Sequence, residues 1–226
     1  KANAEQVVGV WFEPVQGEGG VNIPADNYLS CVREVCDKNN LLMILDEVQT
    51  GAGRTGELFA YQHENVMPDI ITSAKGLGNG YPVAACLAKE SVAKLFTLGK
   101  HGTTFGGSPM ACAVANKVVD IMSYDGFHAN TKKIGEYLLS NLKSVLSKYD
   151  CIKDIRGKGL LVGIEFKDDV TYLRKAGMDA GIVFSVTQQN IVRIAPPLII
   201  TEEHCDEFAS RFLEMVKRSE LVKSLV

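Results

Sequence analysis

The chain has 226 residues, of which 46% are hydrophobic and 23% charged, and its formal net charge is −3. This composition is typical of a globular protein of one or two domains, and it argues against nucleic acid or an anionic membrane as a partner. Apolar runs are short and the six cysteines form no Cys-x-x-Cys pair, so no membrane span, metal site or disulfide framework is expected. Unpaired thiols predict a cytoplasmic protein.

The first half of the sequence alternates strand-like and helical segments. Four strands are predicted, at 7–15, 41–48, 69–75 and 81–88. A helix with Asp26 at its N-cap follows the first strand. The apolar face of this helix is predicted to contain Leu29, Val32, Val35 and Cys36. Strands joined by helical crossovers predict a parallel α/β sheet, and such sheets bind ligands at the carboxyl edge.

The second half has a different pattern. Two helices are predicted at 109–125 and 130–149, with Ile134, Leu138, Leu142 and Val145 on one stripe of the second. Strands at 159–166, 181–186 and from 191 follow, with a helix between the first two, and the closing helix begins at Thr201. We therefore predict an α/β domain over 1–124 and a small α+β domain over 125–226. Four strands are few for a central sheet covered on both faces, so we expect upstream sequence to be missing.

The segment SAKGLGNGYP (73–82) places Lys75 where a strand meets a cluster of glycines. A Walker phosphate loop has its glycines before the lysine, and a dinucleotide fingerprint spaces them as G-x-G-x-x-G, so neither motif fits. Two interpretations stay open: a lysine paired with a carboxylate at a turn, and a reactive lysine.

The preceding strand ends in LDEVQTGAGRTG, which places Asp46 beside the expected position of Lys75. Neighbouring strands lie about 5 Å apart, so both side chains are expected at one pocket. A lysine and a carboxylate on one planar cofactor are typical of pyridoxal-phosphate chemistry. The lysine binds the cofactor aldehyde, and the carboxylate pairs with the protonated ring nitrogen.

Several segments in this order resemble one known family. DEVQTGAGRTG, SAKGLGNGYP and HGTTFGGSPMACAVA, together with FEPVQGEGGV, IRGKGLLVGIEF and VRIAPPLIIT, resemble the class III (omega) aminotransferases, which are fold-type I pyridoxal-phosphate enzymes. The resemblance implies that 1–124 is the C-terminal part of a large cofactor-binding domain with a mixed, mostly parallel sheet. It also implies that 125–226 is the small C-terminal α+β domain and that the N-terminal part of the fold is missing.

The resemblance implies a role for four residues around the cofactor, pyridoxal 5′-phosphate. Lys75 is the catalytic lysine that binds it and moves the proton, and Asp46 holds the ring nitrogen. Gln49 donates to the phenolic oxygen of the ring. Thr104 reaches the phosphate of the neighbouring subunit's cofactor, which implies a homodimer with shared active sites.

An arginine among apolar strand residues is usually ion-paired, and a structural pair is one interpretation of Arg193. The resemblance instead makes Arg193 the residue that binds a substrate carboxylate and Glu18, on a mobile glycine-rich loop, its removable partner. The implied reaction transfers the terminal amine of N-acetylornithine to 2-oxoglutarate, giving the semialdehyde and glutamate, in arginine biosynthesis. The alternatives are family members acting on ornithine, succinylornithine, succinyldiaminopimelate or 4-aminobutyrate, and a non-catalytic α/β module.

Overall fold

The computed structural model describes residues 6–219, which divide into two compact units. The first unit comprises residues 6–14 and 24–127, and the second comprises residues 15–23 and 128–219. The domain boundary between 124 and 125 stays a prediction. The contacts add a feature that the sequence did not indicate, because segment 15–23 packs with the second unit. None of the helices in the described part of the chain has the length and hydrophobicity to span a bilayer.

The first unit contains a four-stranded sheet in the order β1-β2-β3-β4. Its elements are β1 (Gly9–Phe12), α1 (Tyr28–Lys38), β2 (Leu42–Asp46), β3 (Ile70–Ser73), β4 (Ala85–Ala88), α2 (Glu90–Ala93) and α3 (Pro109–Met122). The first three strands are parallel, whereas β4 is antiparallel to β3. The connection from β3 to β4 holds a short 3₁₀ turn and a glycine cluster rather than a crossover helix, so the chain returns antiparallel. The existence of the four predicted strands and the mostly parallel sheet are confirmed, but each strand is shorter than predicted.

The predicted start of α1 is wrong. Asn27, not Asp26, occupies the N-cap, with φ 64° and no side-chain cap. The carboxylate of Glu64, far along the chain, instead accepts the Ser30 N–H at 3.0 Å and the Ser30 hydroxyl at 3.1 Å. The predicted apolar face is also too wide, because Val35 is exposed. A carboxylate brought in by the fold thus supplies the cap that the local sequence lacks.

The second unit contains an antiparallel sheet in the order β5-β6-β8-β7 with helices packed against it. Its elements are α4 (Phe127–Leu146), β5 (Ile152–Lys158), β6 (Leu161–Phe166), α5 (Leu173–Asp179), β7 (Ser185–Thr187), β8 (Ile191–Ile194) and α6 (Glu202–Arg218). The closing helix was predicted to begin at Thr201; Thr201 is its N-cap, and α6 begins one residue later. Of the predicted stripe on α4, Val145 is only half-buried, and the fully buried members are Ile134, Leu138 and Leu142. Strand β5 was not predicted.

Segment 15–23 forms a closed loop within the second unit. Gln16 and Asn22 exchange two backbone hydrogen bonds of 3.1 Å, which join the ends of the loop. Val21 is fully buried and packs with Val15 and Leu161. Its φ of 54° is rare for a β-branched residue, so the surrounding contacts must hold this conformation in place.

Candidate active site

Two predicted site residues lie at neighbouring strand ends in the first unit. Asp46 is the last residue of β2, and its Oδ1 accepts the Val48 N–H at 3.0 Å and the hydroxyl of Thr72, on β3, at 3.3 Å. Lys75 follows two residues after the end of β3. Because β2 and β3 are adjacent and parallel, Asp46 and Lys75 lie at the same carboxyl edge of the sheet.

Lys75 is exposed and lines a pocket of about 460 Å³. The other lining residues are Gly76, Asn79, Gly80, Tyr81, Pro82 and Val83. The backbone of Lys75 has φ 43°, a left-handed conformation that non-glycine residues seldom adopt and that occurs preferentially at functional sites. Gly76 is required next to it, since a Cβ there would lie 2.8 Å from the Cβ of Ala52.

The turn after β2 is organised by a buried acid that the sequence analysis did not single out. Glu47 is fully buried and accepts the N–H groups of Ala60 and Tyr61, both at 3.0 Å, and the hydroxyl of Thr50. Burial raises the pKa of Glu47, and the three hydrogen bonds oppose that shift. The half-buried Gln49 lies in this fixed turn. Successive side chains of extended backbone point to opposite faces, so one of two adjacent acids at a strand end points into the protein. This is the sequence signal that could have identified Glu47.

Other polar groups of the first unit lie in different settings. The hydroxyl of Ser73, at the end of β3, is buried without a hydrogen-bond partner among the described residues. Burial lowers the pKa of Arg54 to about 10.

Thr104 is exposed between α2 and α3 and is not among the residues that line the Lys75 pocket. Within residues 6–219 no His, Cys, Asp or Glu side chains form a group of three or more that could hold a metal ion.

Four residues of the second unit form a row across its sheet, which we call the arginine row. Arg156 on β5 is paired with Gly163 on β6, Gly163 with Arg193 on β8, and Arg193 with Ser185 on β7. Directly opposed residues of antiparallel strands point to the same face of the sheet. The two arginines therefore flank a glycine, and a Cβ on Gly163 would come within 3.0 Å of the Cβ of Val21. The bare position at Gly163 leaves room for loop 15–23 to cross the sheet.

The structure brings Glu18 and Arg193 together. Arg193 Nη1 donates to Glu18 Oε1 at 2.5 Å, and Arg193 Nε donates to the Ser185 hydroxyl at 3.1 Å. The side chain of Arg193 is 15% exposed, whereas that of Glu18 is 66% exposed. Ser185 was missed by the sequence analysis, because its contact with Arg193 depends on the pairing of β7 with β8.

The backbone that carries Glu18 is less free than its glycines suggested. Gln188 donates its side-chain amide to the Glu18 carbonyl at 3.0 Å, and the ends of the loop are joined at Gln16 and Asn22. The loop backbone is thus held by hydrogen bonds, whereas the side chain of Glu18 is 66% exposed.

The fold and the strand-end lysine and carboxylate define the class: this is the fold of the fold-type I pyridoxal-phosphate transferases. Within that class the chain belongs to the class-III aminotransferase family, whose model matches residues 1–216.

Two curated relatives and one solved structure illustrate the similarity. The chain is 45% identical over 204 residues to an acetylornithine aminotransferase of Caldanaerobacter subterraneus subsp. tengcongensis, covering 90% of this chain and 52% of the relative. It is 40% identical to ornithine aminotransferase 1 of Staphylococcus aureus, covering 96% of this chain and 55% of the relative. The crystal structure of acetylornithine aminotransferase from Elizabethkingia anophelis matches with a TM-score of 0.90 and 38% identity, over 96% of this chain and 56% of that one. The chain thus spans about half the length of the curated relatives it matches.

Proposed function

We propose that this protein is a pyridoxal-phosphate aminotransferase that moves the terminal amine of N-acetylornithine to 2-oxoglutarate, giving the semialdehyde and glutamate, in arginine biosynthesis. Family membership supports the reaction type, and relatives named acetylornithine aminotransferase support the donor. The observation that carries the proposal is the pair of Glu18 with Arg193, because it matches what such a reaction requires of a carboxylate-binding site.

The residues at the sheet edge fit the cofactor. An exposed amine in an open pocket and an oriented carboxylate at the next strand end suit a planar group with an aldehyde and a basic ring nitrogen. When bound, pyridoxal phosphate supplies an electron sink for the carbon that loses its proton. We propose that Lys75 Nζ holds the cofactor and moves this proton, that Asp46 keeps the ring nitrogen protonated, and that Gln49 donates to the ring oxygen.

The two half-reactions differ beside the reacting carbon. Glutamate and 2-oxoglutarate carry a carboxylate on that carbon, whereas the terminal carbon of N-acetylornithine carries none. An arginine that binds the carboxylate of glutamate or 2-oxoglutarate has no such partner when N-acetylornithine is bound. A largely buried charge without a partner is costly. A glutamate that covers Arg193 in one half-reaction and turns away in the other solves this problem. The exposed side chain of Glu18 can rotate into water, while Ser185 continues to hold Arg193 Nε.

Ornithine is a second candidate donor. Relatives named ornithine aminotransferase match the chain nearly as well, both in sequence and in fold. Ornithine also reacts at a carbon without a carboxylate if its terminal amine is used, so the Glu18–Arg193 argument applies equally. Rate measurements with both amines are therefore needed to decide which of them is the donor.

We further propose a homodimer in which Thr104 contributes to the neighbouring active site. Thr104 lies in an exposed segment, and large apolar side chains around it are exposed as well. These side chains are Leu95, Phe96, Leu98, Phe105 and Met110. Apolar surface of this kind is typical of an interface. A cytoplasmic location is supported by the six free cysteines.

The proposal is tested on the full-length protein. Its visible absorbance is recorded before and after borohydride reduction, and the labelled lysine is identified by peptide mapping. Turnover with 2-oxoglutarate is then compared for N-acetylornithine, ornithine, succinylornithine, succinyldiaminopimelate and 4-aminobutyrate. We expect labelling at Lys75, highest turnover with N-acetylornithine, and loss of nearly all turnover in Lys75→Ala but not in the exposed control Lys143→Ala. A colourless protein, label at another lysine, or preference for another donor contradicts the corresponding part of the proposal.

A further inference from the structure

Arg156 makes an unusual set of contacts at the end of the arginine row opposite Ser185. Its Nε donates to the carbonyls of Gly20 and Val21 at 3.2 and 3.0 Å, and its Nη2 donates to the Gly20 carbonyl at 2.7 Å. Its Nη1 donates to Asp154 and Glu165 at 2.8 and 2.7 Å. The planar fork of a guanidinium can satisfy acceptors in several directions at once, which an ammonium group cannot do.

The loop needs such an anchor at this point. Gly20 has φ 111°, and a Cβ there would lie 2.4 Å from Ile191 Cδ1, so the backbone passes very close to the sheet. Val21 follows in a left-handed conformation with its side chain fully buried. Val21 is thus held in a conformation that persists only when neighbouring groups fix it, and Arg156 binds the carbonyls of Val21 and of Gly20 before it.

The charge on Arg156 is itself balanced within the second unit. Glu165 accepts Arg156 Nη1 on one oxygen and Lys153 Nζ, at 2.5 Å, on the other. The hydrogen bond from Lys153 has the largest effect on the pKa of Glu165 and lowers it, and the hydrogen bond from Arg156 lowers it further. This carboxylate is therefore ionised at neutral pH. Lys153 thus binds the same carboxylate as Arg156, but 63% of the Lys153 side chain is exposed.

From these contacts we infer that Arg156 is a positioning residue that fixes the backbone at Gly20 and Val21 and thereby sets where Glu18 meets Arg193. The inference rests on the proposed function, since it assigns Arg156 to the half-reaction in which Glu18 covers Arg193. The two arginines act on one loop from either side of Gly163: Arg156 holds its backbone, and Arg193 binds its acidic side chain. With the backbone held, the covering and withdrawal of Glu18 become rotations of one side chain.

The test uses single-turnover rates of the two half-reactions in the full-length holoenzyme. The terminal-amine substrates are N-acetylornithine and ornithine, and the carboxylate-bearing substrate is L-glutamate. Arg156→Met removes the anchor, and Arg156→Lys keeps a cation for Asp154 and Glu165 but loses the fork. The control Lys153→Met removes the other cation on Glu165. If Arg156→Met does not yield folded protein, Arg156→Lys carries the test.

We expect both Arg156 variants to slow the terminal-amine half-reaction about tenfold, through a higher half-saturation concentration, because hydrogen bonds to a charged group are being lost. The rate of the glutamate half-reaction should stay within about twofold of wild type. Lys153→Met should leave the ratio of the two half-reaction rates unchanged. The effect of Arg156→Lys should disappear in a Glu18→Gln background, because residues that act through one another are not additive.

Three outcomes would overturn the inference: equal losses in both half-reactions, the same change of ratio in Lys153→Met, or effects that multiply in the Glu18→Gln background. Each indicates that Arg156 supports the fold and not the placement of Glu18. A wild-type protein that transaminates none of these substrates refutes the proposed function instead, so the two failures are distinguished.

Discussion

Asp69 joins four elements of the first unit at the edge of the sheet opposite Asp46 and Lys75, and replacing it tests what holds these elements together. Asp69 precedes β3; its Oδ2 accepts Arg33 Nη1, from α1, at 2.7 Å and the N–H of Met43, on β2, at 2.8 Å. Its Oδ1 accepts Lys89 Nζ, just after β4, at 2.9 Å. The side chains of Asp69 and Arg33 are only 13% and 15% exposed.

We expect Asp69→Asn to lower the free energy of unfolding by about 3 kcal/mol. The amide keeps the shape but removes the charge, and it turns one acceptor oxygen into a donor that faces other donors. Hydrogen bonds to charged groups contribute about 1.5–3 kcal/mol each, and removing one partner of a buried ion pair costs about 3–5 kcal/mol. The partly exposed Lys89 adds little.

The chain offers a matched control on the same arginine. Asp37 binds Arg33 Nη2 at 2.8 Å one helical turn away but is 68% exposed, so Asp37→Asn should lower the free energy of unfolding by no more than about 0.5 kcal/mol. Both variants of the full-length protein are measured by urea unfolding at pH 7, followed by circular dichroism. If the free energies of unfolding lost in Asp69→Asn and in Asp37→Asn differ by less than about 1 kcal/mol, the spread expected for a surface ion pair, the role assigned to Asp69 is refuted.

The same variant has a defined pH dependence. Burial by itself raises the pKa of Asp69, but the hydrogen bonds from Met43, Lys89 and Arg33 outweigh burial, and the pKa lies below the ordinary value of 3.8. A carboxyl whose pKa is lowered in the folded state stabilises the fold above its unfolded pKa, and this contribution is lost as the pH falls through the folded pKa. The difference between wild type and Asp69→Asn should therefore be constant from pH 7 to about pH 5 and narrow below pH 3.8.

Two further predictions concern the proposed chemistry. Asp46→Asn should lower kcat about 10²–10³-fold, as expected for loss of a preorganised charge, and near-normal steady-state turnover would show that Asp46 does not serve the ring nitrogen. Glu18→Gln should slow the terminal-amine half-reaction and spare or speed the glutamate one in single-turnover experiments; equal effects on both would leave the contact with Arg193 a structural salt bridge. Because Glu18 is 66% exposed, the same change should alter the free energy of unfolding by less than about 1 kcal/mol.

Much of the molecule follows from local patterns in the sequence. The parallel strands appear as short apolar runs, the stripe on α4 has helical spacing, and α6 begins directly after the capping residue Thr201. Asp46 and Lys75 were predicted at neighbouring strand ends because Asp46 directly follows an apolar run and Lys75 comes shortly after another, and parallel strands bring such positions to one edge. In each of these cases the determining interactions are between residues close in sequence or in consecutive strands.

Tertiary structure alone decided the features that depend on distant partners. Strand β5 carries charges at most of its positions and lacks the alternation of a strand, so only its pairing with β6 makes it one. The cap of α1 comes from Glu64, and Arg156 binds the Gly20 carbonyl across 136 residues of sequence. Such partners leave no periodic signal, because a buried donor requires an acceptor but does not specify where along the chain that acceptor lies.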